Sequence, residues 1–194
     1  FGRRDAFAPV VPLAGLDGQT GFRMEGIEVD DRAGEAVSIG GDLNGDGVDD
    51  IVIGARYADP DGRSLAGSVF VVFGRDSSAG TTFPELIRLD QLDGENGLRI
   101  DGGEQWENAG TSVAIVDDIN GDGVDDLVIG APRANAGSLL GSGVAYVVFG
   151  RPSGSSFPAR IDLLHIDGQI GFEVHSDGLG SDLGYSVHRA GDVN

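Results

Sequence analysis

The sequence predicts an all-β protein built from repeated four-stranded sheets. Short runs rich in Val, Ile, Phe and Tyr alternate with turns rich in Gly and Asp, which is the pattern of short strands joined by tight connections. No stretch combines helical periodicity with convincing helix caps. The 194 residues also include 34 glycines, and each glycine inside a helix costs about 1 kcal/mol relative to alanine. Long helices are therefore not expected.

A long repeat organises the chain. The tripeptide Phe-Gly-Arg opens three units, at Phe1, Phe73 and Phe149, so that the first two units contain 72 and 76 residues. Other short motifs return in the same order inside each unit, among them a triplet of an apolar residue, Asp and Gly. Self-similarity on this scale is typical of architectures in which each module buries its faces against its neighbours. The predicted units are residues 1–72, 73–148 and the incomplete unit 149–194.

Each complete unit is predicted to contribute four strands. In the second unit, these strands are residues 97–101, 112–116, 126–131 and 143–149. Four antiparallel strands that recur at a fixed period fit a blade of a β-propeller, in which radial repetition leaves only short, protected sheet edges. Aromatic residues at equivalent places in different units are expected to fill the core between adjacent blades. They are Phe22, Phe70, Phe73, Tyr146, Phe149 and Phe172.

Two nine-residue acidic loops carry the clearest functional signal. Residues 42–50 read Asp-Leu-Asn-Gly-Asp-Gly-Val-Asp-Asp, and residues 118–126 differ from them only by Ile in place of Leu. A third copy begins at Asp192 and the sequence ends within it, at Asn194. Four acidic side chains within nine residues repel one another unless a cation lies among them. Each loop therefore predicts a bound cation.

Alternate positions of each loop can supply oxygen ligands. Side chains at positions one, three, five and nine converge in a tight loop, and the backbone carbonyl of position seven completes the set. An all-oxygen set without His or Cys suits Ca²⁺, which accepts roughly 6–8 irregularly placed oxygens, whereas Mg²⁺ requires nearly octahedral geometry. The predicted ligands are Asp42, Asn44, Asp46, the Val48 carbonyl and Asp50 in the first loop, Asp118, Asn120, Asp122, the Val124 carbonyl and Asp126 in the second, and Asp192 and Asn194 in the truncated third.

The remaining loop positions have supporting roles. Gly47 and Gly123 occupy the sharp turn, where glycine adopts a positive φ without steric cost. Asp49 and Asp125 are left over from the ligand set, and we expect them to support ligands indirectly or to be solvated.

Two other interpretations of the loops stay open at this point. An Asn-Gly-Asp-Gly run also forms a tight turn without any metal. An EF-hand would need a bidentate Glu at position twelve and a helix after it, but position twelve is Ile53 or Ile129 and the following residues favour a strand. Recurrence of the loop at the same place in every unit favours metal binding over a simple turn.

The order of strand, acidic loop, strand, Gly-Ala-Pro and Phe-Gly resembles the FG-GAP repeat of integrin α-subunit propellers and of many bacterial surface proteins. The pairs 73–74 and 149–150 match the Phe-Gly element, and residues 130–132 match Gly-Ala-Pro, whereas Arg56 replaces Pro in the first unit. The resemblance implies a propeller of seven blades with calcium loops on one rim. We therefore expect the chain to be a piece of a longer protein, the less favoured alternative being that several copies assemble to complete a ring.

Composition limits the partners and the location. The net charge of −19 argues against binding to nucleic acid or to an anionic membrane surface. No apolar run reaches the ~18 residues needed for membrane insertion. The absence of cysteine excludes a thiol nucleophile, and metal sites would replace disulfides as cross-links. Because extracellular calcium modules are tuned to about 10⁻⁴–10⁻³ M, we expect a secreted or cell-surface location.

Function is predicted to lie in binding rather than in catalysis. The three histidines, His165, His175 and His188, all lie in the third unit and have no counterparts elsewhere, so no catalytic residue is assigned. The leading hypothesis is an extracellular binding or adhesion scaffold whose protein or glycan ligand contacts variable loops. The alternatives are a non-catalytic accessory domain of a secreted hydrolase such as a phospholipase, and a structural subunit that self-associates through open blade edges into filaments or layers. The candidate binding loops are residues 58–65, 103–108, which include Trp106, and 134–140.

Overall fold

A computed structural model describes residues 12–76, 80–137, 139–178 and 180–191. Regular structure in these residues consists of short β-strands and four single-turn 3₁₀ helices, at Leu13–Gly15, Pro60–Gly62, Leu89–Gln91 and Leu163–His165. The strands are β1 (Arg23–Glu25), β2 (Ala36–Ile39), β3 (Ile51–Ala55), β4 (Ser68–Val72), β5 (Leu86–Arg88), β6 (Gly97–Asp101), β7 (Ser112–Val116), β8 (Asp126–Ala131), β9 (Val144–Val148), β10 (Arg160–Asp162) and β11 (Gly171–His175). The all-β prediction is confirmed. Among the described residues, no helix has the length and apolar character needed to cross a bilayer.

Two antiparallel four-stranded sheets form the body of the structure. The first contains β2, β3, β4 and β6 in that order, and the second contains β7, β8, β9 and β11. The four strands predicted for the second unit are all present, but β6 belongs to the first sheet because it pairs with β4. Each sheet therefore combines three strands of one sequence unit with the outer strand of the next unit.

Two three-residue strands, β10 and β5, each pair in parallel with one other strand. β10 pairs with β6, with Ile161 opposite Ile100, so it covers the outer edge of the first sheet. β5 pairs in the same way with β1, with Ile87 opposite Met24. An outer strand whose edge groups are paired cannot recruit another chain by strand addition.

The main core lies between the two sheets. β4 is buried along its whole length, and its alternate residues serve two different clusters. Val69 and Val71 pack in the cluster that includes residues of the second sheet, whereas Phe70 and Val72 pack with Ile53 and Leu89 in a separate cluster. The second sheet contributes Val113, Ile115, Leu127, Ile129, Tyr146 and Val148 to the main cluster.

The expected aromatic core is only partly present. Phe70, Phe73 and Tyr146 are buried, as predicted. Phe22 and Phe149 are half-buried. The prediction is wrong for Phe172, which is 39% exposed, because no third sheet packs on its face of β11 within the described residues.

The glycine of the Gly-Ala-Pro element permits close contact between consecutive units. A Cβ atom on Gly54 would lie 2.2 Å from the carbonyl oxygen of Gly110, and one on Gly130 would lie 1.8 Å from that of Gly184. Any side chain here would separate the backbones of adjacent units. In the first unit, Arg56 stands at the proline position and forms an ion pair of 2.9 Å with Glu35.

Ion pairs also connect the first sheet to β10. Arg63 forms a two-bond pair with Asp162, at 3.0 and 2.9 Å, and donates a further bond of 3.0 Å to the carbonyl of Gly103. The buried carboxylate of Asp101 contacts Nε of both Arg99 and Arg160. Such two-bond guanidinium–carboxylate pairs fix the geometry of the groups they join.

Candidate metal centre

Both acidic loops occupy the same place in their sheets. Residues 42–50 connect β2 to β3, and residues 118–126 connect β7 to β8. In each sheet the acidic loop therefore connects the first two strands, and it lies at the same end of both sheets. Asp192 and Asn194, the predicted ligands of the truncated third copy, lie outside the described residues.

The side chains of the first loop turn inward onto the loop backbone. Asp42 accepts hydrogen bonds from the amides of Asp46 and Gly47, at 3.1 and 2.7 Å. Oδ1 of Asn44 accepts a bond of 3.0 Å from the Asp46 amide, and Oδ1 of Asp46 accepts one of 2.8 Å from the Val48 amide. The oxygens at positions one, three and five therefore point into the same loop.

The second loop repeats this pattern bond for bond. Asp118 accepts from the amides of Asp122 and Gly123, at 3.0 and 2.7 Å. Asn120 accepts from the Asp122 amide at 2.9 Å, and Asp122 accepts from the Val124 amide at 3.0 Å. These bonds from backbone amides, that of Gly123 foremost, lower the pKa of Asp118 and favour its charged form.

The aspartate at position nine anchors each loop to the Phe-Gly turn. Asp50 is fully buried, and its two oxygens accept bonds of 2.8 Å from the amides of Leu43 and Gly74. Asp126 does the same for Ile119 and Gly150, at 2.7 and 2.9 Å. Sequence reasoning missed this anchoring role because the Phe-Gly turn follows the aspartate by 24 residues in both units.

Burial changes the acidity of these anchoring residues. Loss of hydration, reinforced by the charges of Asp42 and Asp46, raises the pKa of Asp50 to about 7. Burial raises the pKa of Asp126 as well. A cation beside these carboxylates would offset the cost of ionising them in a poorly hydrated place.

Glycines shape the loops as predicted. Gly47 and Gly123 have φ angles of 85° and 90°, in the left-handed region that suits glycine. The glycine of the Phe-Gly turn has a different role, since a Cβ atom on Gly150 would lie 2.2 Å from the carbonyl oxygen of Asp125. The turn thus packs directly against the loop.

The donor chemistry of the loops fits a hard cation. Each loop encloses carboxylate oxygens, an amide oxygen and backbone carbonyls, with no nitrogen or sulfur ligand. The carboxylates are engaged with loop amides, and within the described part of the chain no three His, Cys, Asp or Glu side chains are already drawn together as a metal cluster. Bringing the predicted ligands onto an ion would therefore rearrange hydrogen bonds inside the loop.

Asp125 has a contact that the sequence did not reveal. Its Oδ2 accepts a bond of 2.9 Å from the amide of Asp42, in the other loop. The amide of Asp125 in turn lies 3.3 Å from the carbonyl oxygen of Asp42, to which it donates. The two residues are 83 positions apart, so no pattern within a single loop could indicate the contact.

The variable loops lie at the opposite strand ends from the acidic loops. Trp106 is 56% exposed and has a φ of 71°, which is unusual for a bulky residue. Its amide donates a bond of 2.8 Å to the carbonyl of Ser64, and Asn108 bonds to the carbonyls of Arg56 and Leu65. Two of the candidate loops, 58–65 and 103–108, are thus bonded into one rigid surface. The third, 134–140, includes residue 138, which lies outside the described residues.

Two histidines of the third unit contact a side chain two residues away. Nε2 of His188 lies 2.9 Å from Oγ of Ser186, and Nε2 of His175 lies 2.5 Å from Glu173. All four side chains belong to exposed residues. Ser186 and His188 lie on an open groove that residues of β2 and β7 also line.

Comparison with known proteins defines the class of repeat. A profile of the FG-GAP repeat matches residues 33–72 and 109–148, each of which spans an acidic loop and the strands around it. The chain is 31% identical over 175 residues to integrin alpha-3 of Cricetulus griseus, covering 88% of this chain and 14% of that protein. It is 37% identical over 114 residues to phosphatidylinositol-glycan-specific phospholipase D of Bos taurus, covering 58% of this chain and 13% of that protein.

Repeated antiparallel sheets with an acidic loop between their first two strands define an FG-GAP repeat protein, and such repeats imply a β-propeller. The chain therefore contains two FG-GAP repeats and is similar to integrin α-subunits. It also shares 30% identity over 137 residues with integrin alpha-PS2 of Drosophila melanogaster, covering 69% of this chain and 9% of that protein. The chain spans only 13% to 14% of the length of the first relatives it matches.

Proposed function

We propose that this chain is a calcium-stabilised segment of an extracellular, seven-bladed β-propeller that acts as a binding or adhesion scaffold. The observation that carries the proposal is the repetition of one hydrogen-bonded, all-oxygen loop in two consecutive sheets. A turn without a metal needs no such concentration of carboxylates, because their mutual repulsion opposes folding.

Calcium would act as a structural clamp in the proposed function. Asp42, Asn44, Asp46, Asp50 and the Val48 carbonyl would hold one ion, and the equivalent residues 118–126 would hold a second. The bound charge would offset the repulsion within each loop and the unfavourable burial of the position-nine aspartate. A chain without cysteine gains in this way the cross-links that other secreted proteins obtain from disulfides.

Recognition is assigned to the loops opposite the calcium sites. The rigid surface formed by residues 58–65 and 103–108 exposes Trp106 on a backbone that is held by bonds to a neighbouring loop. An aromatic side chain on a preorganised backbone contributes contact area with little loss of conformational entropy on binding. A protein or a glycan ligand fits this surface, and the net charge of −19 disfavours nucleic acid.

Two observations favour other roles for the same scaffold. The similarity to phosphatidylinositol-glycan-specific phospholipase D supports an accessory, non-catalytic domain of a secreted hydrolase. The exposure of Phe172 and Val174 on β11 supports self-association through this sheet. Sedimentation of the purified chain tests the second role, because self-association would give species larger than the 20.0 kDa monomer.

Calorimetric titration with calcium, combined with thermal melting, tests the proposed function. Two sites are expected, and a ligand that binds only the folded state at one hundred times its Kd adds about 2.7 kcal/mol per site. Asp46→Ala and Asp122→Ala should each remove one site and its share of the melting shift. A Ser38→Ala variant, altered in β2 outside both loops, should keep both sites. Absence of heat and of a melting shift in millimolar CaCl₂ would refute the calcium sites.

A further inference from the structure

We propose that the two calcium loops bind their ions with positive cooperativity and that Asp125 transmits the coupling. This inference rests on the calcium binding proposed above, and it adds a property that two isolated loops would not have. Asp125 belongs to the second loop, but its side chain and its amide both contact Asp42, the first ligand position of the first loop.

The contact between Asp125 and Asp42 connects two backbone segments, each of which carries predicted calcium ligands. Asp125 lies between Val124 and Asp126, which supply the predicted ligands at positions seven and nine of the second loop. Its Oδ2 accepts from the Asp42 amide at 2.9 Å, and its own amide donates to the Asp42 carbonyl at 3.3 Å. The backbone of Asp42 is thus held on both its donor and its acceptor by a residue flanked by ligands of the other site.

The surroundings of the first loop make this contact rigid. Leu43 is only 3% exposed, whereas its counterpart Ile119 in the second loop is 48% exposed. The Leu43 carbonyl accepts a bond of 2.8 Å from the amide of Arg151 in the third unit. At Gly41, an added Cβ atom would lie 2.3 Å from the side chain of Ile115 and 3.0 Å from Asp125 Oδ2. The first loop is therefore packed against the second and third units.

Preorganisation sets the sign of the coupling. An ion in the second loop would fix the Val124 carbonyl and the Asp126 carboxylate, and would thereby fix Asp125 between them. A fixed Asp125 restrains Asp42, so the first loop loses less conformational freedom when its own ion binds. By thermodynamic linkage, the first ion must then help the second by the same factor. Repulsion between the two ions acts in the opposite direction, but it is weakened at 0.15 M salt, where the Debye length is about 8 Å.

Site-resolved calcium titration by NMR measures the coupling directly. The amides of Gly47 and Gly123 each donate to the position-one aspartate of their own loop, at 2.7 Å, so each reports on one site. Asp122→Ala gives the Kd of the first site alone, and Asp46→Ala gives that of the second. A two-site fit of the unsubstituted protein, with these constants fixed, yields the coupling factor, which we expect to be about five, at the lower end of usual allosteric coupling.

Substitutions at position eight supply the test and its matched control. Asp125→Ala removes the 2.9 Å bond from the Asp42 amide and leaves only the longer amide–carbonyl contact of 3.3 Å, so the coupling factor should fall towards one. Measuring it in combination with each single-site variant removes any direct effect of the substitution on either affinity. Asp49→Ala changes the same residue type at the same position of the first loop and should leave the factor unchanged. Asp125→Asn keeps an acceptor oxygen without the charge and should also preserve the coupling.

A second readout does not depend on fitted affinities. In the Asp46→Ala variant, where only the second site can fill, the amide resonance of Asp42 should still move during calcium titration. Adding Asp125→Ala to that variant should abolish the movement while Gly123 continues to report binding. An unchanged spectrum away from the two loops shows that the Asp125→Ala protein is folded. If Asp125→Ala does not fold, the coupling factor of Asp125→Asn is compared with that of the unsubstituted protein, and loss of coupling there contradicts the expectation.

The outcomes separate this inference from the proposed function. If neither glycine amide responds to calcium, the proposed function fails. If both sites fill but the coupling factor of the unsubstituted protein is one or less, only the inferred cooperativity is overturned. If cooperativity is present and is undiminished in Asp125→Ala, the assignment of the coupling to the Asp125 carboxylate is wrong.

Discussion

Replacing Glu107 with Gln is expected to reduce the pH dependence of folding stability. Glu107 is almost completely buried. Its Oε1 accepts a bond of 2.7 Å from the Gly103 amide, and its Oε2 accepts from the Glu104 amide at 3.1 Å and lies 3.4 Å from the hydroxyl of Tyr146. Burial raises its pKa from 4.5 to about 7, despite the hydrogen bonds that favour the charged form.

The direction of the effect follows from proton linkage. Below pH 4.5 the carboxyl group is protonated in both states, so its contribution to stability is fully present. As the pH rises, the unfolded chain ionises first, and the contribution is lost as the pH passes through the folded pKa of about 7. A pKa difference of this size corresponds to about 3 kcal/mol at most between the two pH limits.

Urea unfolding of the unsubstituted protein and of Glu107→Gln at pH 4.5 and pH 8 measures this contribution. The stability difference between the two proteins should shift by up to about 3 kcal/mol in favour of Gln at the higher pH. Taking the difference cancels the titration of Asp50, whose pKa is also raised. Glu104→Gln, at an exposed neighbour, is the control and should flatten the profile much less, because the charge of Glu104 is a minor cause of the raised Glu107 pKa beside burial. An equal pH dependence in Glu107→Gln and the unsubstituted protein would contradict the reasoning.

Three further substitutions test other features by urea unfolding. Gly150→Ala places a Cβ 2.2 Å from a loop carbonyl and should destabilise by at least about 2 kcal/mol, whereas Gly168→Ala, which meets no atom within 4 Å, should be nearly neutral. Arg63→Met removes the two-bond pair with Asp162 and should cost about 1–2 kcal/mol; a change below the error of the measurement would exclude an energetic role for this pair. Trp106→Gly should be about 1 kcal/mol more stable than Trp106→Ala, because only glycine adopts a φ of 71° without strain; the reverse order would show that the strain is absent.

Sequence patterns located strands well because the relevant information is local. Apolar runs bounded by Gly and Asp placed β7 and β8 at their observed limits, 112–116 and 126–131. The three-residue strands β5 and β10 were not predicted, since they are too short to show an alternating pattern. Sequence patterns also did not indicate that β6 joins the first sheet, because its pairing with β4 depends on the path of the long connection between these two strands.

In the candidate site, too, local features could be predicted from the sequence, whereas contacts between distant segments could not. The conformations of Gly47 and Gly123 follow from their own positions in the loop, and the prediction of positive φ angles is confirmed. The anchoring of Gly74 by Asp50 depends on folding that joins distant segments. Asp125 lay outside the predicted ligand set, and its link to Asp42 is visible only when two units are placed side by side. The binding of calcium by these loops stays a prediction.

The repeat of sequence and the repeat of folding are out of step by one strand. A protein cut at Phe73 would separate β6 from the three strands it completes, whereas a cut after Asp101 would keep the four antiparallel strands of that sheet together and remove only β10. Unfolding of one unit therefore removes the outer strand of the preceding sheet. We expect unfolding to spread along the array as a single cooperative event for this reason. Gene fusions and domain excisions in this family should accordingly be designed around whole sheets rather than around the Phe-Gly signature.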